Sequence, residues 1–205
     1  MERYRDKLVL GITGGVGSGK SRILDILRED HGFYVIQADL VARRLMEPGM
    51  ESYRAVADYL GPSVLNADGS LNRPVMADII FHDPVKRRRV DELTHPLVWK
   101  AVMKEAGEAP AGRVVIEAAI PSKEFRDKCV EMWYVYTSEE NRMERLSADR
   151  GYSQEKTRSI MDNQVSDGEF RSFSDAVIDN NGSLDETKAQ IEALLQRLFR
   201  IGHKD

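Results

Sequence analysis

Apolar and polar positions along this chain change period several times. Leu8-Val9-Leu10-Gly11-Ile12-Thr13 is an unbroken apolar or small run. That is the pattern of a short strand buried on both faces. A helical stripe follows it, with Ile23, Ile26 and Leu27 on one face. Phe33-Tyr34-Val35-Ile36 reads as a second strand. It ends at Gln37-Ala38-Asp39, where a helix carrying Leu40, Val41 and Leu45 begins. Residues from about 50 to 110 are helical in pattern, without a convincing strand. Leu60-Gly61 and Asn66-Ala67-Asp68-Gly69 mark turns within them. Arg113–Glu117 (RVVIE) is a third strand, Met132–Tyr136 a fourth, and Ala176-Val177-Ile178 a short last one.

Two helix starts carry the capping-box spacing, Thr137 with Glu140 and Ser183 with Glu186. The second opens a terminal helix with Leu184, Ile191, Leu194, Leu195 and Leu198 near the 3.6 period. Strands alternating with helices predict an α/β chain built on a parallel sheet of about five strands. The core is expected over about 7–48, 111–141 and 172–201, with a helical substrate-side subdomain over about 49–110. The arginine-rich stretch 142–171 holds Arg142, Arg145, Arg150, Arg158 and Arg171, and reads as a lid.

Composition narrows the class. The chain has 205 residues and a net charge of −4, which argues against a general binder of nucleic acid or membrane surfaces. It has no apolar run of about 18 residues, as a membrane-spanning helix needs. The charged start MERYRDK leads straight into a strand, so no signal peptide is expected. Cys129 is the single cysteine. That excludes an internal disulfide, suits a reducing cytoplasm, and reads as a packed thiol. Asn181-Gly182-Ser183, formally a glycosylation sequon, then reads as a turn.

The chemistry sits after the first strand. Gly14-x-x-x-x-Gly19-Lys20-Ser21 is the spacing of a phosphate-binding loop, and it lies between a strand and a helix, as that loop requires. Glycines let backbone N–H groups converge into an anion-binding nest. The following helix, starting near Ser18, adds the positive end of its dipole. Gly15, Val16, Gly17, Ser18, Gly19, Lys20, Ser21 and Arg22 are therefore the candidate ATP-binding residues. Lys20 serves the β- and γ-phosphates and Ser21 offers its hydroxyl to Mg²⁺. No Asn-Lys-x-Asp for guanine occurs, and no four-residue apolar run ends in Asp-Glu as in motor ATPases. Small size and a late arginine-rich segment favour a small-molecule kinase, whose lid excludes water from the transfer. The fold class is then a three-layer P-loop kinase fold.

Further landmarks follow in order: Asp39, then Asp68-Gly69-Ser70-Leu71-Asn72-Arg73, Ile80-Phe81-x-Asp83 and His95-Pro96. Arg145, Arg150, Gln164 and Ser174–Gly182 (SDAVIDNNG) complete them. Together they resemble the dephospho-CoA kinase family from about residue 8 to about residue 198. The resemblance implies transfer of the ATP γ-phosphate to the 3′-hydroxyl of dephospho-CoA, the last step of coenzyme A synthesis. A monomer suffices for that activity. Gln37 departs from the family, which usually has Asp there. Ala118–Glu124 replaces a Pro-Leu-Leu-aromatic-Glu run, and Arg22 stands for a usual Thr. A nucleoside monophosphate or shikimate-type kinase, or an ATP-binding protein with lapsed catalysis, are the rival readings.

By the same resemblance, Asp39 is the candidate base and hydroxyl orienter, against a helix N-cap. Arg73 and His95 fall on the substrate side, against a surface ion pair and a helix break respectively. One of Arg145 and Arg150 would come over the phosphates. Glu117 reaches magnesium through water or is a solvated strand-end acid. The Lys86–Arg89 run is a solvated helix face or an acceptor contact. Trp133, Tyr134 and Tyr136 read as core rather than adenine stackers.

Overall fold

The structure, a computed structural model, describes residues 7–201. In chain order the elements are β1 (Leu8–Thr13), α1 (Lys20–Glu29), β2 (Tyr34–Gln37), α2 (Ala38–Leu45), α3 (Glu51–Leu60), a 3₁₀ turn (Pro62–Val64), α4 (Arg73–His82) and α5 (Pro84–Glu108). They continue with β3 (Arg113–Glu117), α6 (Lys123–Arg126), β4 (Glu131–Tyr136), α7 (Glu139–Arg150), α8 (Gln154–Asp162), α9 (Asp167–Phe173), β5 (Ala176–Asp179) and α10 (Leu184–Ile201).

The sheet has the order β2-β3-β1-β4-β5. β1 pairs in parallel with β3 and β4, and β4 with β5. A central strand must satisfy both faces, and β1 does so by alternation. Leu10 and Ile12 are fully buried in one cluster with Ile23, Ile26 and Leu27 of α1 and Ile191, Leu195 and Leu198 of α10. Gly11, between them, faces the other layer. A Cβ there would lie 2.9 Å from Cys129 Sγ and 3.2 Å from the Phe125 ring. Helices thus cover both faces, giving the expected three layers. Because the paired strands run one way, the ends of β1, β3, β4 and β5 gather on one edge of the sheet, where ligands bind in open α/β sheets.

Trp133 is buried, and its indole N–H donates to Glu131 Oε2 at 2.8 Å. Tyr134, also buried, stacks on Phe170 at 4.8 Å between centroids. The core reading of the aromatics therefore stands for both. Cys129 is a packed thiol that burial pushes up to about 12.

The chain divides into two compact units. One comprises residues up to Val35 together with those from Ala109, and the other is Ile36–Glu108. The second starts earlier than the helical pattern at 49 implies, because α2 packs on α5 and Arg44 donates to Glu105 at 2.6 Å. Its core is Val56, Val64, Leu71 and Val90. Pro96 lies inside α5, so His95-Pro96 does not break the helix. Packing of α5 against α2, α3 and α4 offsets the backbone bond lost at proline. Lys86, Arg87, Arg88 and Arg89 are all exposed, with Lys86–Asp83 and Arg89–Glu92 paired at 3.6 and 3.1 Å. This is a solvated helix face. Among the described residues no helix is long and apolar enough to cross a membrane.

Candidate active site

The loop from Gly14 to Gly19 joins β1 to α1. Gly19 is the N-cap of α1, at φ 91°, and contributes no side-chain cap. The first turn also lacks an acidic residue. A helix start has N–H groups without intrahelical acceptors and a positive dipole end. Here neither is answered by a side chain of the helix itself, which suits an anionic ligand. Lys20 Nζ lies against the loop, donating to Gly14 O at 2.6 Å and Gly15 O at 3.3 Å. It also stands 3.6 Å from Glu117, a buried acid at the end of β3. Glu117 is thus in the site and not a solvated strand end. Ser21 and Arg22 are exposed on the first turn of α1.

Distant segments brace this loop. The carbonyl of Ser18 accepts from Asn180 Nδ2 at 2.8 Å and from Thr137 Oγ1 at 2.9 Å. Asn180 Oδ1 in turn accepts from Thr187 at 3.0 Å. Asn180 packs so closely on Gly19 that a Cβ there would collide with its amide. The Thr137–Glu140 spacing predicts that Thr137 caps α7. Instead Ser138 does so, its hydroxyl accepting from Asn141 N at 3.3 Å. The cap moves by one residue because the loop takes Thr137. The Ser183–Glu186 box forms as expected, with Ser183 N donating to Glu186 at 2.7 Å and Glu186 N to Ser183 Oγ at 3.3 Å. Replacing Asn180 by alanine is expected to lower stability to urea by about 1–3 kcal/mol, since it strands buried partners. A change within about 0.5 kcal/mol, as at an ordinary surface site, would contradict this bracing role.

The arginines of 142–171 part company. Arg145 donates to Asn180 O at 2.7 Å and Thr137 Oγ1 at 3.4 Å, so it supports the β5–α10 loop. Arg150 is exposed in the last turn of α7, which Gly151 ends at φ 63°, the left-handed stop expected there. Arg145 Nη1 also lies near Gly19, 3.4 Å from where a Cβ would stand, and Arg142 bonds the phosphate loop directly, its Nε donating to Val16 O at 2.8 Å. No local pattern separates Arg142 from its neighbours, because its partners lie far off in sequence.

The remaining candidates lie in the second unit. Asp39 is exposed in the first turn of α2, but Gln37 is the N-cap, so capping does not account for Asp39. Among the described residues no hydrogen bond or ion pair engages its carboxylate. Arg73 opens α4, where Asn72 caps by accepting from Val75 N at 3.2 Å. The preceding turn is held by Asp68, which accepts from Ser70 N at 2.9 Å, and by Tyr53, which donates to Gly69 O. A cation at a helix start opposes the dipole. Arg73 makes only a 3.4 Å contact with Arg43 O and no ion pair among the described residues. The surface-pair reading therefore fails. His95 is exposed on α5, 3.7 Å from Asp91.

Comparison with known proteins bears on the family and the fold. Residues 8–186 match the model of a family described as dephospho-CoA kinase. A dephospho-CoA kinase of Syntrophotalea carbinolica is 37% identical over 195 residues, covering 93% of this chain and 92% of that protein. A solved Thermus thermophilus structure superposes with a TM-score of 0.79 at 27% identity, over 94% of this chain and 98% of that one. The dephospho-CoA kinase of Campylobacter jejuni shares the fold, with a TM-score of 0.64 at 17% identity over 93% and 96%.

Proposed function

This chain belongs to the dephospho-CoA kinase family, and we propose that it transfers the γ-phosphate of ATP to the 3′-hydroxyl of the dephospho-CoA ribose, giving coenzyme A and ADP. The observation that carries this reading is the uncapped, acid-free start of α1 with Lys20 folded against the loop. It is a cradle for a polyphosphate in a chain of this family.

Phosphoryl transfer asks mostly for positioning and charge neutralisation. Residues 15–22 hold the phosphates through loop N–H groups other than those of Val16, Ser18 and Arg22, which donate within the protein, and Lys20 swings from Gly14 O to the β,γ oxygens. The bond from the 3′-oxygen to Pγ forms as the bond from Pγ to the β,γ-bridging oxygen breaks, and the hydroxyl proton passes to Asp39. Arg73 and His95 hold the acceptor. Arg73 and the start of α4 together suit its phosphate groups. Among the described residues no group of three or more His, Cys, Asp or Glu could hold a metal. Magnesium keeps waters and substrate phosphates as ligands and takes few from protein. Ser21 would offer the ion its hydroxyl and Glu117 would reach it through water, and the ion would neutralise charge on the transferring phosphate. The cytoplasm is the proposed compartment.

The test is ADP release from Mg-ATP with dephospho-CoA, AMP, CMP, shikimate or no acceptor in parallel. Release with dephospho-CoA alone is expected. Release with another acceptor in its place would overturn the substrate. ATP binding without release under any condition would overturn the catalytic reading, and Gln37 and the 118–124 segment would be the places to look.

A further inference from the structure

We infer that Arg142 contacts the terminal phosphate of ATP held by the loop, and that Gln164 is the residue that positions it. The inference rests on the ATP-binding reading above and names a contact that reading leaves open.

The geometry is a closed ring of hydrogen bonds. Arg142 Nε donates to Val16 O at 2.8 Å, Arg142 Nη2 donates to Gln164 Oε1, and that same oxygen accepts from Val16 N at 3.2 Å. One carboxamide oxygen thus ties the guanidinium to the loop backbone. Gly15 makes room for it: a Cβ there would lie 2.6 Å from Nη2 and 2.9 Å from Gln164 Oε1. Lys20 Nζ rests on Gly14 O and Gly15 O, so both cations stand at residues 14–16. The loop lysine serves the β- and γ-phosphates. A second cation at the same end meets the γ side.

Charge points the same way. Arg142 is half-buried, and desolvation lowers its pKa from the usual arginine value. Among the described residues no carboxylate lies within ion-pair distance of it. Arg171 and Arg126 of this unit pair with Asp167 and Asp175 at 2.7 Å, whereas Arg142, partly buried, has only neutral hydrogen-bond partners among the described residues. A partly buried guanidinium that feels Glu139 only at a distance and pairs directly with no carboxylate among the described residues is a cost that a bound phosphate would offset.

Gln164 is placed by a fixed support. It lies just before α9, capped by Ser166, and Phe170 of α9 is buried in its stack on Tyr134. Arg171 also lies over the Tyr136 ring at 5.1 Å. The carboxamide is therefore referred back to β4.

The experiment measures ATP and ADP dissociation constants and turnover for the whole chain and for Arg142→Ala, Arg142→Lys, Gln164→Ala and the Arg142→Ala/Gln164→Ala double variant. Arg142→Ala is expected to weaken ATP at least about tenfold more than ADP and to lower kcat about 10²-fold, the loss typical of one charge-stabilising donor. Lysine restores little, since it lacks the planar fork. Gln164→Ala moves both quantities in the same direction by less, and adds nothing in the Arg142→Ala background, because it acts through the arginine. Equal weakening of ATP and ADP, or additive losses, would overturn the inference while leaving the phosphate-loop reading intact. If the unmodified chain bound neither nucleotide, both would fall. Should Arg142→Ala not fold, Arg142→Lys and Gln164→Ala carry the same comparison.

Discussion

Lys20→Ala is expected to reduce kcat/KM for ATP by about 10³-fold or more, since removing even a neutral charge-stabilising donor from an active site costs about 10²–10³-fold. In the proposed transfer the lysine, the first residue of α1, brings a full charge to the oxygens on which charge develops. Its resting contacts limit the structural side of the change. Nζ is held by two loop carbonyls and stands 3.6 Å from Glu117. Truncation removes hydrogen bonds worth about 1 kcal/mol each from a domain that has several to spare. Urea unfolding should therefore shift modestly while turnover collapses. Lys20→Arg separates charge from shape, because a guanidinium fork is too broad to sit against Gly14 and Gly15 as the ammonium does. It is expected to recover less than a tenth of the activity. A Lys20→Ala enzyme within tenfold of the parent in a coupled ADP-release assay would remove the lysine from the transfer step.

Much of the chain's architecture is visible in its local pattern, for reasons the structure makes plain. β1 and β3 fall on Leu8–Thr13 and Arg113–Glu117, the stretches the apolar runs mark. Strands covered on both faces need such runs. The phosphate loop is legible because its demands are local: glycine where the backbone turns, then lysine and serine on the first helical turn. What escapes the pattern depends on partners far away in sequence. Thr137 yields the α7 cap to Ser138 because Ser18 O, 119 residues earlier, takes its hydroxyl. Asn180 reaches the same carbonyl across 162 residues. Arg142 meets Val16 across 126, and no spacing rule distinguishes it from Arg145 or Arg150. Pro96 reads locally as a break, yet α5 passes through it because three helices pack along its length. Local signals thus place the nucleotide cradle, and long-range hydrogen bonds decide which side chains brace it.

Asp39→Asn is the second large effect expected, a fall in kcat of about 10²–10⁴-fold, the range for loss of a positioned general base. The argument turns on what asparagine keeps. It has the shape of aspartate and is at home near a helix start. Asp39 is not the cap of α2, since Gln37 holds that place, and no bond in the described residues depends on its carboxylate. The structural cost is then the loss of a first-turn negative charge, about 0.3–1 kcal/mol. What asparagine cannot do is accept the proton that the 3′-hydroxyl releases as its oxygen bonds to phosphorus. KM for ATP should stay within a few-fold, because the proposed phosphate contacts come from Gly15–Arg22 and not from α2. Gln37 sharpens the test. With glutamine where the family usually has an acid, Asp39 is the carboxylate the chain places just after β2. Restoring an acid by Gln37→Asp in the Asp39→Asn background should return part of the lost rate if a carboxylate near the hydroxyl is what the step requires. Turnover of Asp39→Asn within fivefold of the parent would make Asp39 an orienter at most and send the search for the base elsewhere.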